Sequence, residues 1–420
     1  MHIREVKTAI KIGEFTLKRN HRNKIDINYL PNVEKKILTD NSGRVYIIVR
    51  DSVIKKIGGS VGKHTWLSGT SDIDFFIAFN YISYKDKSAE LADYAEKVLL
   101  KYKPTRLKGS RDYFSAKYKG FDLEFVPVLE INDIGKALNI TDASPLHVYY
   151  VADKIAENKN LAAEIRLAKQ FFKSADAYGA ESYISGFSGY VIEILILHYK
   201  SFDKLIKAAS KWKHRGIIDI EKHHKNAVKS LNTAKLDSPL IVVDPIDYYR
   251  NAAAALRNRR FANIITHSKS YLKKPSLRFF EVKHFSPSKL KRENTIILST
   301  KPIKKTRAVA GDVIVSKFNK IRRAFLEHDF DLNSADWYWN GNVNENAYYV
   351  FRFSEINLPK KRRIVGPPKR VHKKYIAAFT RKWRGAKLIN DRYFAETKRK
   401  YTNVNKFLKV ILKDKTIRKV

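Results

Sequence analysis

The chain of 420 residues contains no cysteine. Disulfides, thiolate nucleophiles and cysteine-based zinc sites are therefore excluded, and the composition suits a reducing cytoplasm, the compartment we expect. Long apolar runs are absent too. The most apolar stretch, "YVIEILILHY" (Tyr190–Tyr199), is about half the length a membrane span needs and carries Glu193. The opening "MHIREVKTAIKIGEFTLKRN" has no apolar core of signal-peptide length, so no membrane association is expected. Low-complexity segments and repeats of fixed period are lacking as well. Acidic residues are scarce beside basic ones, 42 against 83, for a net charge of +41. That excess points to a polyanionic partner, nucleic acid first. A usage skewed to Lys, Ile and Asn across a proteome would give the same number, and charge alone does not separate the two.

What is present supports real cores: hydrophobic residues make up 44% of the chain, and its length suggests about two to four domains. The first 40 residues read as mixed and helical ("YLPNVEKKILTDN"), and "RVYIIV" (Arg44–Val49) as a strand or a buried helix segment. The aromatic run "DIDFFIAF" (Asp72–Phe79) predicts a strand, "SAELADYAEKVLLKY" a helix, and "TRLKGSRDYFSAKY" and "GFDLEFVPVL" further strands of one sheet. From Ser144 to about residue 235 the pattern is helical, with "GFSGYVIEILILHYKSF" apolar almost all round and so buried. "NAAAALRNRRFANIITHSKSYL" (Asn251–Leu272) predicts another helix, and "ADWYWNG" and "NAYYVFRFSEI" two strands joined at an Asn-Gly turn.

The chemistry concentrates in "GGSVGKHTWLSGTSDIDFFIAF" (Gly58–Phe79). In a strand, residues two apart face one side, so Asp72 and Asp74 point together while Ile73 and Phe75 point the other way. Two close carboxylates repel unless a cation sits between them. Magnesium, which takes hard oxygen ligands and accompanies phosphates, is the simplest remedy. A Gly/Ser turn just before them can cradle an anion with its backbone N–H groups. A second acidic pair, Asp122 and Glu124, recurs at the same spacing in "GFDLEFVPV". If the two strands are neighbours, three carboxylates converge on two metals about 4 Å apart, an arrangement suited to attack of a hydroxyl on the α-phosphorus of a nucleoside triphosphate. The plainer reading of a lone Asp-x-Asp is a solvated strand entry.

"GGS…TWLSGTSDIDFFI" resembles the signature of the DNA polymerase β-like nucleotidyltransferases. With "DLEFVPV", "DASPLHVYYV", "YGAESYISGFSGYVIEILI", "VVDPIDYYRNAAAAL" and "KPSLRFF", in order over residues 55–280, it resembles the archaeal (class I) CCA-adding tRNA nucleotidyltransferases. The resemblance implies a template-independent polymerase adding C, C and A to the tRNA 3′ end from CTP and ATP with two magnesium ions. Asp72, Asp74 and Glu124 would be the metal ligands, with Asp122 an alternative third. The family more often has Glu first and Asp third; here the two are exchanged. The implied architecture is α+β and multidomain: a polymerase β-like nucleotidyltransferase head (1–150), a helical neck (151–240), a body (241–285 plus 386–420) and an α/β tail (286–385) that grips the tRNA elbow while the acceptor end reaches the head. A homodimer is compatible with it.

The resemblance further puts Ser60, Lys63, Ser144, His147, Lys169 and Tyr178 on the triphosphate. Ser60 lies in the glycine turn. Ser144-Pro145 reads as an N-cap followed by proline, a helix end that attracts phosphate. His147 lies in that first turn. Lys169 and Tyr178, read alone, are a solvated lysine and a core or loop aromatic. Arg250 in "DPIDYYRNAA" is the candidate base reader that the resemblance implies, a guanidinium able to donate to base acceptors and reject uracil or guanine edges; from spacing alone it reads as an exposed arginine opening a helix. From residue 286 onward aromatics interleave with Lys and Arg ("YYVFRF", "KKRRIVGPPKRVHKKYIAAFTRKWRG"). Alternate aromatics are expected in a core and the basic face on RNA. Two other readings remain: a poly(A) polymerase or oligoadenylate-type synthetase sharing the head, and a non-catalytic RNA-binding protein.

Overall fold

A computed structural model describes residues 9–12, 15–19, 25–29, 37–39, 45–48, 53–68, 72–100, 103–118, 121–225, 231, 236–282, 285–290, 293–412 and 416–420. It divides into two units, residues 1–282 and 283–420. Both mix helix and sheet, so the α+β class holds.

The first unit opens with an antiparallel sheet of β1 (Ala9–Ile12), β2 (Phe15–Arg19) and β3 (Ile25–Tyr29). A seven-stranded sheet follows: β4 (Ile37–Thr39), β5 (Val45–Ile48), β6 (Val53–Ile57), β7 (Asp72–Asn80), β8 (Thr105–Leu107), β9 (Tyr113–Tyr118) and β10 (Phe121–Glu130). Their order is β4-β5-β6-β7-β10-β9-β8. The helical expectation for the first 40 residues is thus overturned where the chain is described, by strands from Ala9 onward; residues 30–36 lie outside the described residues. Short strand-forming clusters that pair with one another outweigh the weak helical periodicity there. "RVYIIV" resolves to the strand β5.

Central strand β7 runs parallel to β10 and antiparallel to β6. Its alternation sorts two layers. Ile73, Phe75, Ile77 and Phe79, with Leu123, Phe125 and Leu129 of β10, pack on Leu91, Ala92, Ala95 and Leu99 of a helix at Leu91–Leu99. Phe76 and Ala78 turn to the other face with Val128 and Val148. Asp72 and Asp74 belong to that second face by the same period of two.

Val148 lies on the helix Ser144–Glu157, here α1. Three more helices follow, α2 (Asn160–Ser174), α3 (Gly189–Tyr199) and α4 (Phe202–Ala209). With α5 (Asn258–Lys273) they share one core. Helix α3 is buried from Val191 to Leu197, which explains its apolar circumference. The helical stretch is interrupted by a parallel pair, β11 (Gly216–Ile218) and β12 (Leu240–Val242). Helix α5 starts at Asn258 rather than Asn251, because the Asn251 carboxamide accepts the N–H groups of Val242 and Ala253 and holds the chain in a turn.

In the second unit, β13 (Thr295–Thr300), β14 (Leu332–Tyr338), β15 (Ala347–Phe353) and β19 (Ile417–Lys419) make an antiparallel sheet in the order β14-β15-β13-β19. Strands β16 (Lys361–Pro368), β17 (Lys387–Ile389) and β18 (Arg392–Lys398) form a second sheet beside the helix Lys373–Lys382. Tyr349, Phe351 and Phe353 are buried with Phe318 and Phe325 of the helix Arg307–Glu327, so alternate aromatics are core. On the other face Tyr338 and Tyr348 stack on Phe285, at 4.1 and 5.0 Å between centroids. Residues 386–420, expected with 241–285 in a body, fall in this second unit, since β18 pairs with β16 and β19 with β13.

Candidate active site

The parallel register sets Asp122 opposite Asp72 and Glu124 opposite Asp74. Paired residues of neighbouring strands face one side, so the acidic residues share a face at adjoining rungs. Asp72 is exposed; Asp74 and Glu124 are half-buried. Asp122 pairs with Lys117 of the neighbouring strand β9, 2.9 Å away. Among the described residues no three such groups already meet at a single point as metal ligands would. They are nevertheless electrostatically coupled. Burial, then Asp74, Asp72 and Asp122, push the Glu124 carboxyl up to about 7. Burial, opposed by Lys63 and reinforced by Asp72, also raises Asp74.

The turn ahead of β7 presses on these acids. The N–H of Gly58 donates to the Asp74 carbonyl at 2.8 Å. Gly59 has a left-handed φ of +56°, and a Cβ there would stand 1.6 Å from Asp74 Oδ2. Only glycine fits. Ser60 follows in the same turn, its carbonyl accepting the Thr65 N–H. Residues 69–71, the Gly-Thr-Ser just before Asp72, lie outside the described residues. The donor set of hard carboxylate oxygens, with Asp74 and Glu124 raised and beside a side-chain-free glycine, fits a divalent cation.

Two expected triphosphate contacts are engaged elsewhere. Lys63 Nζ donates to Glu193 Oε2 at 2.5 Å, and Lys169 Nζ to Glu193 Oε1 at 2.7 Å. Thr65 completes the knot, donating its hydroxyl to Glu193 and accepting from Lys169. Glu193 is wholly buried. Burial alone would raise its carboxyl, but Lys169 and Lys63 hold it at about 2. The amines face a carboxylate because a buried charge without a partner is far costlier than a paired one. Tyr178 reaches the same place: a Cβ on Gly189 would lie 3.1 Å from its hydroxyl and 3.6 Å from Lys169 Nζ. Burial, then Glu193, Glu181 and Asp72, push its phenol up to about 12.

Ser144 is the first helical residue of α1 rather than its N-cap. The turn Ile140–Ala143 is itself capped by Asn139, and the chain enters α1 already wound, with Pro145 behind. Within that turn Asp142 is paired to Arg111 and accepts the Leu129 N–H. His147 stacks on Tyr190, 4.6 Å between centroids, and its Nε2 lies 3.2 Å from Asp244 Oδ2. Arg250 Nη1 donates to the same oxygen at 2.7 Å. Burial would raise Asp244, but His147 and Arg250 hold it at about 2. Sequence reasoning missed Glu193, Thr65 and Asp244 as partners. The one available signal was Glu193, a lone carboxylate in an apolar helix that demands buried cations.

Comparison with known proteins gives the family. The family model described as tRNA nucleotidyltransferase, second domain, matches residues 163–281, and that of the CCA-adding enzyme C-terminal domain matches residues 306–419. The CCA-adding enzyme of Nanoarchaeum equitans is 34% identical over 360 residues, 84% of each chain. That of Methanosarcina mazei is 32% identical over 389 residues, 86% of this chain and 80% of its own. That of Pyrobaculum islandicum is 28% identical over 405 residues, 90% of each. The chain belongs to the CCA-adding enzymes and is a nucleotidyltransferase.

Proposed function

We propose that this enzyme extends the 3′ end of tRNA by C, C and A, without a nucleic-acid template, using CTP and ATP. The observation that carries the reading is the β7–β10 register, which sets Asp74 beside Glu124 next to a glycine turn, in a chain of this family. Asp72, Asp74 and Glu124 would hold two magnesium ions. Bound there, the ions would acidify the attacking 3′-hydroxyl, offset charge on the α-phosphate and hold the departing pyrophosphate.

The protein's own groups do the rest. Ser60 and its turn offer backbone N–H groups to the triphosphate, and Ser144, His147 and Tyr178 approach it from the helical side. Lys63 and Lys169, both held on the Glu193 carboxylate, would lie beneath the triphosphate. Lys63 thereby acts through its field on Asp74 rather than as a free hand. Arg250 reads the base edge. We assign residues 1–150 to a polymerase β-like head, the helices to about 240 to a neck, and the second unit to tRNA binding at the elbow, with its exposed Lys and Arg on phosphates.

The test is direct. A tRNA lacking its last three nucleotides, given CTP, ATP and magnesium, is expected to lengthen by three. Unlimited addition of A, or use of UTP, would instead make the protein a poly(A)- or poly(U)-type polymerase. RNA binding without turnover would make it a binding protein. Among the described residues no helix is long and apolar enough to cross a membrane.

A further inference from the structure

One buried carboxylate outside the acidic rungs meets residues of α1, α3 and the loop after β12. Asp244 follows β12 and is fully inaccessible. Its Oδ1 accepts the N–H groups of Ile246 and Asp247, at 2.9 and 3.3 Å, closing the loop that carries Arg250. Tyr190 of α3 donates its hydroxyl to that oxygen at 3.1 Å. Oδ2 takes Arg250 Nη1 at 2.7 Å and lies 3.2 Å from His147 Nε2 of α1. The Asp244 N–H also donates to the Arg250 carbonyl at 3.0 Å, so backbone and side chain of Arg250 are both held.

A guanidinium on a free side chain donates to acceptors on any base and discriminates poorly. Pinned by one Nη, its remaining N–H groups keep one plane and direction, and only a base edge with acceptors at those points is satisfied. Arg250 is one-third exposed at its side chain, so those other donors are not enclosed. The same Oδ2 borders His147, our candidate triphosphate contact. One carboxylate thus spaces the group facing the base from the group facing the phosphates.

We infer that Asp244 is a selectivity-setting positioning residue, which fixes Arg250 against the base and ties that fit to triphosphate placement through His147. This rests on the reading of the site given above. Asp244→Asn keeps an oxygen for the loop N–H groups and removes the charge that grips Arg250. With tRNA lacking its last three nucleotides, the preference of kcat/KM for CTP over UTP is expected to fall about tenfold or more, as removal of a charge-assisted hydrogen bond implies. Adding Arg250→Lys to this variant is expected to cost little further preference, since both act through one interaction. An unchanged CTP-to-UTP ratio, with rates for both falling equally, would overturn the inference and make Asp244 a scaffold residue. So would additive losses. If Asp244→Asn does not fold, as judged by circular dichroism, Arg250→Lys and His147→Gln are combined instead: non-additive loss of preference supports the hub, additive loss overturns it. A wild-type protein that adds no C, C and A defeats the underlying reading, whereas normal wild-type addition with unaltered selectivity in the variant defeats this inference alone.

Discussion

Four buried or half-buried carboxylates of the first unit behave in opposite ways. Asp74 and Glu124, on the rungs of β7 and β10, are pushed above the usual carboxylate range. Glu193 and Asp244, set among the helices and the loop after β12, are both held at about 2. Burial opposes ionisation in all four. The difference lies in the neighbours: Glu193 has two lysines and Asp244 has His147 and Arg250, whereas Glu124 has three other acids around it. The lowered pair spends its charge inside the protein and organises it. The raised pair stores an unmet demand for positive charge, which is how a chain builds a site for a cation and a substrate.

The largest break in this contrast comes from removing a rung acid. Asp74→Ala is expected to cut nucleotide addition by about 10²–10³-fold or more, as loss of a charge-stabilising group does, with tRNA affinity little changed. Product-length gels and filter binding measure the two; a near-normal rate would remove Asp74 from the chemistry.

Next comes the knot beneath. Glu193→Gln leaves Lys63 and Lys169 buried against a neutral amide, and breaking such a buried pair costs about 3–5 kcal/mol. Chemical denaturation at neutral pH should show the loss. The sign of its pH dependence follows from the lowered carboxyl: Glu193's contribution is present above its unfolded value of 4.5 and disappears as pH falls through about 2. The variant's deficit relative to wild type should therefore shrink between those values. A deficit that stays constant down to pH 2 would mean the ion pairs are not its source.

The smallest effect lies in the second unit. Lys373 and Lys374 are exposed at the start of their helix. Replacing both by alanine should weaken tRNA binding uniformly across tRNAs. The slope of log affinity against log salt should fall by about 0.7–0.9 for each phosphate that is no longer neutralised. An unaltered slope would move the RNA-binding surface elsewhere on that unit.

The contrast also marks what a sequence can disclose. The rung acids were readable because period-two alternation is local, and Asp72-Ile73-Asp74 and Asp122-Leu123-Glu124 carry it in three residues each. Their being neighbours was a conditional inference that the β7–β10 register supplied. The knot was not readable, since Glu193 meets Lys63 and Thr65 across 130 and 128 residues, and no periodicity encodes such a meeting. The resemblance implies triphosphate contacts for both lysines, and in the structure each meets the protein's own Glu193. Ser144 failed as a cap for a local reason instead: Asn139 and Asp142, a few residues earlier, make a better capping box.

The central claim is that the β7 and β10 carboxylates form a cation site, and thermal unfolding of Glu124→Gln tests it without any turnover. A carboxyl raised to about 7 from 4.5 destabilises the fold progressively as pH rises between those values. Without metal at pH 8, the glutamine variant should therefore be at least as stable as wild type. Adding magnesium should raise the melting temperature of wild type and do little for the variant. Equal stabilisation of both by magnesium, or a variant less stable than wild type in its absence, would contradict the account.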